Sequence, residues 1–313
     1  MSVFNAGPHF SEAVESILCQ SFSDFEFLII DDGSLEPISN IVAQWRDSRI
    51  VVLRHENCGL TKSLNRGLRL CQGEYVARMD ADDVSLPERL ARQVSELDAH
   101  PHLDLVGSSF EVIDEGGKLI DIKSLIQDPL YRLWRLLFHN NYGHGTVMLR
   151  KGSALQVGGY DESFLYAQDY DLWSRLSSKI NTSMLPEPLY RYRMTAGSNQ
   201  ASVKHYDAQL TSAIRISNRN LMRVNPALDE TSCAEIRALY WKFQKDFFDP
   251  EALYLLADTF DGFCIHYALT SPERRHLGTL VLQDVMNEVS SSSLGRPDQP
   301  SRIVSRFVTR MTA

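Results

Sequence analysis

Three carboxylates fall within four residues at Asp80-Ala81-Asp82-Asp83, directly after a short segment, residues 74–79, that reads as a buried strand. Like charges this close raise one another's proton affinity unless a cation or a hydrogen-bond network compensates. Hard carboxylate oxygens suit Mg²⁺ or Mn²⁺, ions that typically bridge one or two carboxylates to substrate phosphates. The ordinary alternative is a solvated loop whose aspartates cap the helix after Pro87. A calcium-binding EF-hand is excluded. Counting Asp80 as position one, the sixth residue is Ser85 rather than Gly, and the twelfth is Ala91 rather than Glu.

Asp31-Asp32-Gly33-Ser34 is a second acidic turn after an apolar run. Asp-Gly is common in turns, so it gains weight only beside the first. A carboxylate here can accept a hydrogen bond from a nucleobase N–H or a ribose hydroxyl. The third segment is Gln168-Asp169-Tyr170-Asp171-Leu172-Trp173. An Asp at a helix start is usually an N-cap. The functional alternative for Asp169 is a general base that takes a proton from an acceptor hydroxyl.

Elements to position these groups are readable from periodicity. Phe10, Ala13, Val14, Ile17 and Leu18 have helical spacing after Pro8, and residues 25–30 form a buried strand ending in the first acidic turn. Ile38, Ile41, Val42 and Trp45 mark a second helix, residues 50–53 a second strand, and Leu60, Leu64 and Leu68 a third helix closed by Gly73. Residues 74–79 are a third strand, and Pro87 opens a helix carrying Leu90, Val94 and Leu97. Short buried strands alternating with helices predict an α/β fold with a mostly parallel sheet. Ligands of such sheets sit at the carboxyl ends of the strands, and both acidic turns fall there.

Beyond residue 100 the pattern is mixed. Residues 105–113 and 118–122 flank Gly116-Gly117 as a hairpin, residues 146–149 and 189–193 are strands, and residues 169–176 are a helix. From about residue 203 the chain reads as helices at 208–224, 233–248, 251–266 and 276–289. The polar run 290–301 is a linker, and the last dozen residues suit a basic amphipathic helix. The expected division is therefore 1–202 as one domain, with a nucleotide half at about 1–100 and an acceptor half at about 101–202. A helical extension follows at 203–289, with a linker and tail at 290–313.

Composition bounds the function. The chain has 313 residues, a formal charge of −8 and 43% apolar residues, enough for a true core. The acidic balance excludes a basic nucleic-acid footprint, yet leaves room for an anionic substrate whose charge a metal offsets. Five scattered cysteines read as reduced thiols. No transmembrane run or signal peptide is visible, so the expected location is the cytoplasm, with docking at the inner face of a membrane compatible.

The start of the chain is unusual for this fold. Only Met1-Ser2-Val3-Phe4-Asn5-Ala6-Gly7 precede the first helix, where a complete strand is expected. A gap there leaves unpaired backbone groups and apolar faces. The expectation is a natural product that begins upstream, which its intact mass would test.

Together these segments resemble the family 2 glycosyltransferases with the GT-A fold, over roughly residues 2–200. The resemblance runs through Val3-Phe4-Asn5-Ala6, residues 15–22, residues 25–34, Asn57-Cys58-Gly59-Leu60, Leu64-Asn65-Arg66-Gly67 and residues 73–83. It continues through His144-Gly145-Thr146-Val147-Met148, Gly158-Gly159-Tyr160-Asp161-Glu162 and residues 166–173. It implies an inverting transfer from a nucleoside-diphosphate sugar to a hydroxyl on a glycan or lipid-linked acceptor, with Mg²⁺ or Mn²⁺. By position, Phe4 lies against the nucleobase, Asp32 hydrogen-bonds it, Asp80 contacts the ribose side, Asp82 holds the metal, and Asp169 is the base. Asn65 and Arg78 are weaker candidates for the donor pocket, and Asp31 and Asp83 accompany the acidic turns.

Two departures from the family pattern stand out. Gln168 replaces a Glu often found before the base, which removes one charge and keeps Asp169. Arg193, Met194 and Thr195 stand where many relatives place a His near the metal, so metal affinity is weaker or Arg193 serves as a diphosphate contact. His144 either lines the acceptor side or is a core histidine, and Trp173 is either an acceptor platform or core. His55 ends a strand, Trp45, Trp134 and Trp241 read as core or interface aromatics, and residues 240–248 as helix packing. The competing functions are a degenerate relative that binds without turnover and a sugar nucleotidyltransferase. The latter needs a Gly-rich basic phosphate loop that Asn5-Ala6-Gly7-Pro8 does not supply. The C-terminal helices are candidates for a homodimer surface, a membrane-docking face or a cover for the core.

Overall fold

The computed structural model describes residues 1–177, 181–194, 205–240, 252–291 and 302–312. Trp241 and the rest of the stretch to residue 248, Thr195, and linker residues 292–301 lie outside these. Two compact units emerge, one formed by residues 1–129 and 141–212, the other by residues 130–140 and 213–313.

In the first unit, β1 (Ser2–Val3), β2 (Phe27–Asp31) and β3 (Ile50–Arg54) form a three-stranded parallel sheet with β2 in the middle. Helix α1 (Phe10–Leu18) buries Phe10, Ala13, Val14 and Ile17, the predicted stripe, against β2 and the short helix α2 (Ile38–Val42). Each fully buried aliphatic or aromatic side chain of this kind contributes roughly 1.5–3 kcal/mol. Helix α3 (Leu60–Leu70) follows β3.

A six-stranded mixed sheet completes the unit. Its order is β4 (Tyr75–Ala77), β8 (Met148–Arg150), β6 (Leu105–Ile113), β9 (Thr182–Arg193), β5 (Val84–Ser85), with β7 (Leu119–Lys123) on the end of β6. The predicted hairpin is β6–β7. Only β6 and β9 pair in parallel here; β4, β5 and β7 meet antiparallel neighbours. Helices α4 (Arg89–Ala99), α6 (Lys151–Gln156) and α7 (Gln168–Leu176) connect these strands. Strand β9 starts seven residues before the predicted position. Pro186 and Pro188 hide that part, since proline offers no ladder donor, and the β6–β9 register shifts opposite them.

The second unit is helical: α5 (Pro129–Arg135), α8 (Tyr206–Val224), α9 (Glu230–Ala238), α10 (Ala252–His266), α11 (Ser271–Ser291) and α12 (Arg302–Thr312). The unit boundaries fall at the start of α5 and inside α8. Trp134 is its centre, fully buried, edge-on to Phe138, Tyr240, Phe260 and Phe263, with its indole N–H donated to the Tyr240 hydroxyl at 2.8 Å. The final amphipathic helix turns Phe307 and Met311 into this core, and Arg310 pairs with Asp258 and Asp261 of α10. Among the described residues no helix is long and apolar enough to cross a membrane.

Candidate active site

The acidic loop leaves β4 through Arg78 and enters β5 at Val84. Arg78 is buried and ion-paired through both terminal nitrogens with the half-exposed Asp80. Burial, the largest single influence, would depress the guanidinium's pKa, but the Asp80 carboxylate together with Tyr190 and Tyr160 raises it overall and keeps Arg78 charged. Asp83 points the other way. It is 1% exposed and accepts from the Tyr190 hydroxyl and the Arg193 backbone N–H, both at 2.7 Å. Burial, then the charge of Asp80, raise its pKa to about 8. Asp83 is thus the peg that fastens the loop to β9. Tyr190 carried no chemical signal in the sequence, yet it also accepts from the Asp80 backbone N–H at 3.3 Å.

Asp82 keeps a solvent-facing side chain. Crowding of protein around its carboxylate, then the charge of Asp80, raise its pKa, with Arg78 and His9 acting in the opposite sense. Excess negative charge on hard, accessible oxygens fits a divalent cation, so the donor set agrees with Mg²⁺ or Mn²⁺. Arg193 is engaged elsewhere. Its guanidinium donates to the carbonyls of Asp82, Asp114 and Glu115 and to Glu12 at 2.6 Å. It ties the acidic loop to the β6–β7 turn and to α1, and its donors face protein rather than a diphosphate.

At the end of β2 the two aspartates divide their tasks. Asp31 is fully buried and accepts from the N–H groups of Ser34 at 2.8 Å and Ile38 at 3.2 Å, so it closes the turn and starts α2. Burial works to raise its pKa, but those amides and Arg54 hold it below the usual carboxylate value. Asp32 accepts from the backbone N–H groups of Cys58 and Gly59 at 2.9 and 3.0 Å and from the Asn57 amide at 3.3 Å. It shapes the loop between β3 and α3. His55 and Cys58 stand beside it, their potential ligand atoms within 4.8 Å of one another. Phe4 is 54% exposed at the end of β1. Its neighbour Asn5, at φ +54°, donates its N–H to Ser34 Oγ at 2.9 Å and accepts from the Leu35 N–H. The exposed ring is therefore anchored beside the Asp31–Ser34 turn.

Asn65 is fully engaged with protein. Its amide donates to the Tyr160 carbonyl at 2.8 Å and to Glu162 at 3.1 Å, and accepts from the Tyr160 N–H at 2.9 Å. A Cβ on Gly159, at φ +70°, would come within 2.6 Å of the Asn65 carbonyl oxygen, so glycine is required there. Arg175 completes this corner. It holds Asp171 and donates to the carbonyls of Val157 and Gly159 at 2.6 Å.

Tyr160 links the halves of the site. Its hydroxyl meets His144 Nε2 at 3.0 Å. After burial, the charges acting on it are those of Arg78, Asp169 and Asp80. Arg78 and Asp80 from the end of β4, Asp169 from the first turn of α7, and His144 thus share one environment. Burial, then Arg78, hold the His144 pKa well below its ordinary value, so its ring is neutral. Trp173 is fully buried against His144 and Tyr142, which makes it core rather than an acceptor platform. Asp169 is half-buried, and one of its carboxylate oxygens accepts from the Tyr170 N–H at 2.8 Å. Gln168 is buried beside it, following Ala167 at φ +58°.

Comparison with known proteins agrees with this geometry. A model of "Glycosyl transferase family 2" matches residues 1–154. The amylovoran biosynthesis glycosyltransferase AmsE of Erwinia amylovora is 31% identical over 225 residues, which cover 70% of this chain and 81% of that protein. The O-antigen biosynthesis glycosyltransferase WbnJ of Escherichia coli is 33% identical over 215 residues, covering 66% and 82%. The crystal structure of S. aureus TarS residues 1–349 in complex with UDP-GlcNAc superposes with a TM-score of 0.60 at 18% identity, covering 96% of this chain and 91% of that one. The predicted GT-A-like α/β fold, with its short first strand and C-terminal helices, is the fold observed, and the chain belongs to glycosyltransferase family 2.

Proposed function

We propose that this glycosyltransferase moves a hexosyl or N-acetylhexosaminyl group from a nucleoside-diphosphate sugar to a hydroxyl of a glycan or lipid-linked acceptor, with inversion. The relatives' roles in amylovoran and O-antigen biosynthesis support a place in making a surface polysaccharide or glycoconjugate. TarS, crystallised with UDP-GlcNAc, supports a nucleotide-sugar donor. The reaction takes place in the cytoplasm, at a membrane surface where the acceptor is lipid-linked.

The observation that carries the reading is the acidic loop at the end of β4, where Arg78 pairs with Asp80 and Asp82 faces solvent. A donor diphosphate belongs at this loop, and an acceptor hydroxyl at Asp169. Phe4 gives the nucleobase an apolar face, Asp32 orders the loop against its edge, and Asp80 binds the ribose side. Asp82, with Asp80 beside it, would hold Mg²⁺ or Mn²⁺, whose positive charge offsets the charge growing on the departing diphosphate. Asp169 takes the acceptor proton, and its hydrogen bond from the Tyr170 N–H fixes the carboxylate's orientation. Neutral His144 and Tyr160 orient the region without competing for that proton. Asn65, Asp83 and Arg193 act as positioning residues.

The test is a donor screen with UDP-, GDP- and dTDP-sugars, with Mn²⁺ or Mg²⁺ and a chelator control. The expected result is metal-dependent release of one nucleoside diphosphate and a product of inverted anomeric configuration. Donor binding without turnover would overturn the reading in favour of a degenerate relative, and absence of donor binding by a folded chain would overturn it outright.

A further inference from the structure

Among the described residues, Asp32, His55 and Cys58 bring their potential metal-ligating atoms together, one from each within 4.8 Å of the others. They come from three places that the fold draws to one edge. Asp32 follows β2, His55 follows β3, and Cys58 lies in the loop before α3. Backbone bonds fix that convergence. The His55 N–H donates to the Asp31 carbonyl at 3.1 Å, and the Cys58 N–H to Asp32 Oδ1 at 2.9 Å. A Cβ on Gly33, at φ +79°, would come within 2.6 Å of the Asn57 nitrogen, so the turn and the loop touch directly. The function proposed above uses Asp32 and gives His55 and Cys58 no task.

The side-chain geometry decides between two chemistries. His55 Nδ1 meets Cys58 Sγ at 3.2 Å, and Nε2 meets Ser63 Oγ at 3.1 Å. A Cys–His–Asp nucleophile needs the carboxylate hydrogen-bonded to the ring. Asp32 Oδ1 stands 3.6 Å from Nε2, beyond hydrogen-bond length, so it does not orient the ring. A shared metal suits these separations better. Three ligands at about 2.0–2.3 Å from one Zn²⁺ lie roughly 3.3–3.6 Å from each other. The Cys58 side chain is exposed and free to turn toward the other two. Asp32 Oδ1 accepts the Cys58 N–H and keeps a second lone pair for a cation. With Nδ1 on the metal, Nε2–H donates to the buried Ser63 hydroxyl, the outer partner that metal-bound imidazoles commonly have. Thiolate, imidazole and one carboxylate favour Zn²⁺ over Mg²⁺.

We propose that Asp32, His55 and Cys58 bind Zn²⁺ with water in the fourth position, and that the filled site closes the nucleobase side of the donor pocket. On binding, the Cys58 thiol releases its proton to solvent and its sulfur donates an electron pair to the metal. Two anionic ligands then balance the Zn²⁺ charge, and no oxidation is involved. The closure rests on the function proposed above, in which Asp32 orders this loop against the nucleobase; the metal site itself does not.

The experiment has two parts. In the first, Co²⁺ is titrated as a coloured substitute for Zn²⁺ into the unsubstituted chain and into Cys58→Ser, His55→Ala and Asp82→Asn. The expected result is a thiolate-to-cobalt charge-transfer band, bleached by Zn²⁺, in the unsubstituted chain and in Asp82→Asn only. Ser63→Ala is expected to weaken Co²⁺ affinity by about 10–100-fold. No band in the unsubstituted chain, or a band that survives in Cys58→Ser, overturns the metal site. Cys58→Ser changes one atom at an exposed position, so its folding is not at issue. In the second part, calorimetry measures binding of UDP, GDP and dTDP in Mg²⁺, with and without Zn²⁺. Zn²⁺ is expected to weaken nucleotide binding at least about tenfold in the unsubstituted chain and less than about twofold in Cys58→Ser. A cobalt band with unchanged nucleotide affinity overturns the closure and upholds the metal site. Failure to bind any nucleotide without Zn²⁺ overturns the function proposed above, on which the cobalt readout does not depend.

Discussion

Tyr190→Phe isolates the peg that holds the acidic loop. The substitution keeps the ring, which is 1% exposed, and removes one oxygen. Two hydrogen bonds go with it: the 2.7 Å bond to Asp83 and the 3.3 Å bond from the Asp80 N–H. Asp83 keeps its bond from the Arg193 N–H. The cost depends on the charge of Asp83, whose folded pKa is about 8 against 3.8 for an ordinary Asp. Because the folded value is raised, the folded state holds the proton between about pH 4 and pH 8. Stability from this group therefore declines as pH rises through that window. Below about pH 8, Tyr190 serves a neutral carboxyl, and losing the bond costs about 0.5–1.5 kcal/mol; above about pH 8, a carboxylate, and about 1.5–3 kcal/mol. Thermal and urea unfolding of both proteins at pH 6 and pH 9 read the difference, at about 2–4 °C per kcal/mol. A penalty of equal size at both pH values would refute the ionisation argument. A penalty below about 0.5 kcal/mol throughout would refute the anchoring role itself.

Three further outcomes follow from the geometry. Asp169→Asn is expected to lower kcat by about 10²–10⁴-fold with little change in donor KM; unchanged turnover in a steady-state assay removes Asp169 from the base role. Asn65→Ala orphans the buried N–H and carbonyl of Tyr160 and is expected to cost about 2–4 kcal/mol in urea unfolding. Gly278→Ala would set a Cβ 1.7 Å from the Met311 carbonyl oxygen, so α12 must move away from α11. Limited proteolysis should then release the C-terminal segment much faster than from the unsubstituted protein, and equal rates would contradict the close approach.

Much of this architecture was readable because the relevant signals are local. The stripe of Phe10, Ala13, Val14 and Ile17 specifies α1, and the apolar run before Asp31 specifies β2. The acidic turns were found for the same reason: charge clustered at strand ends is visible in one dimension. What that pattern does not reveal is direction. Nothing in Asp80-Ala81-Asp82-Asp83 tells that Asp80 turns to Arg78, Asp83 to Tyr190 and Asp82 to solvent. Those choices depend on β9, a hundred residues away in the chain. Asn65 and Arg193, which the family resemblance points to as donor-pocket and diphosphate contacts, direct their hydrogen bonds to protein. Tyr190 and Arg89 give no signal in the sequence, since an aromatic in a strand and an Arg in a helix look ordinary. Arg89 is fully buried, donating to the carbonyls of Arg78 and Val147 beneath the site.

The helical unit draws residues 130–140 from the middle of the chain and everything else from beyond residue 212. During synthesis Trp134 leaves the ribosome about 130 residues ahead of Phe260 and Phe263, two of the rings that enclose it. At roughly 5–20 residues per second that is a delay of roughly 6–26 s. Throughout it Leu130, Leu133, Trp134, Leu137 and Phe138 have no core to enter. Exposed apolar surface of this kind makes the nascent chain prone to association in that interval. A shortened gene ending near residue 212 makes the exposure permanent, and its product is expected to aggregate rather than yield a free-standing catalytic unit.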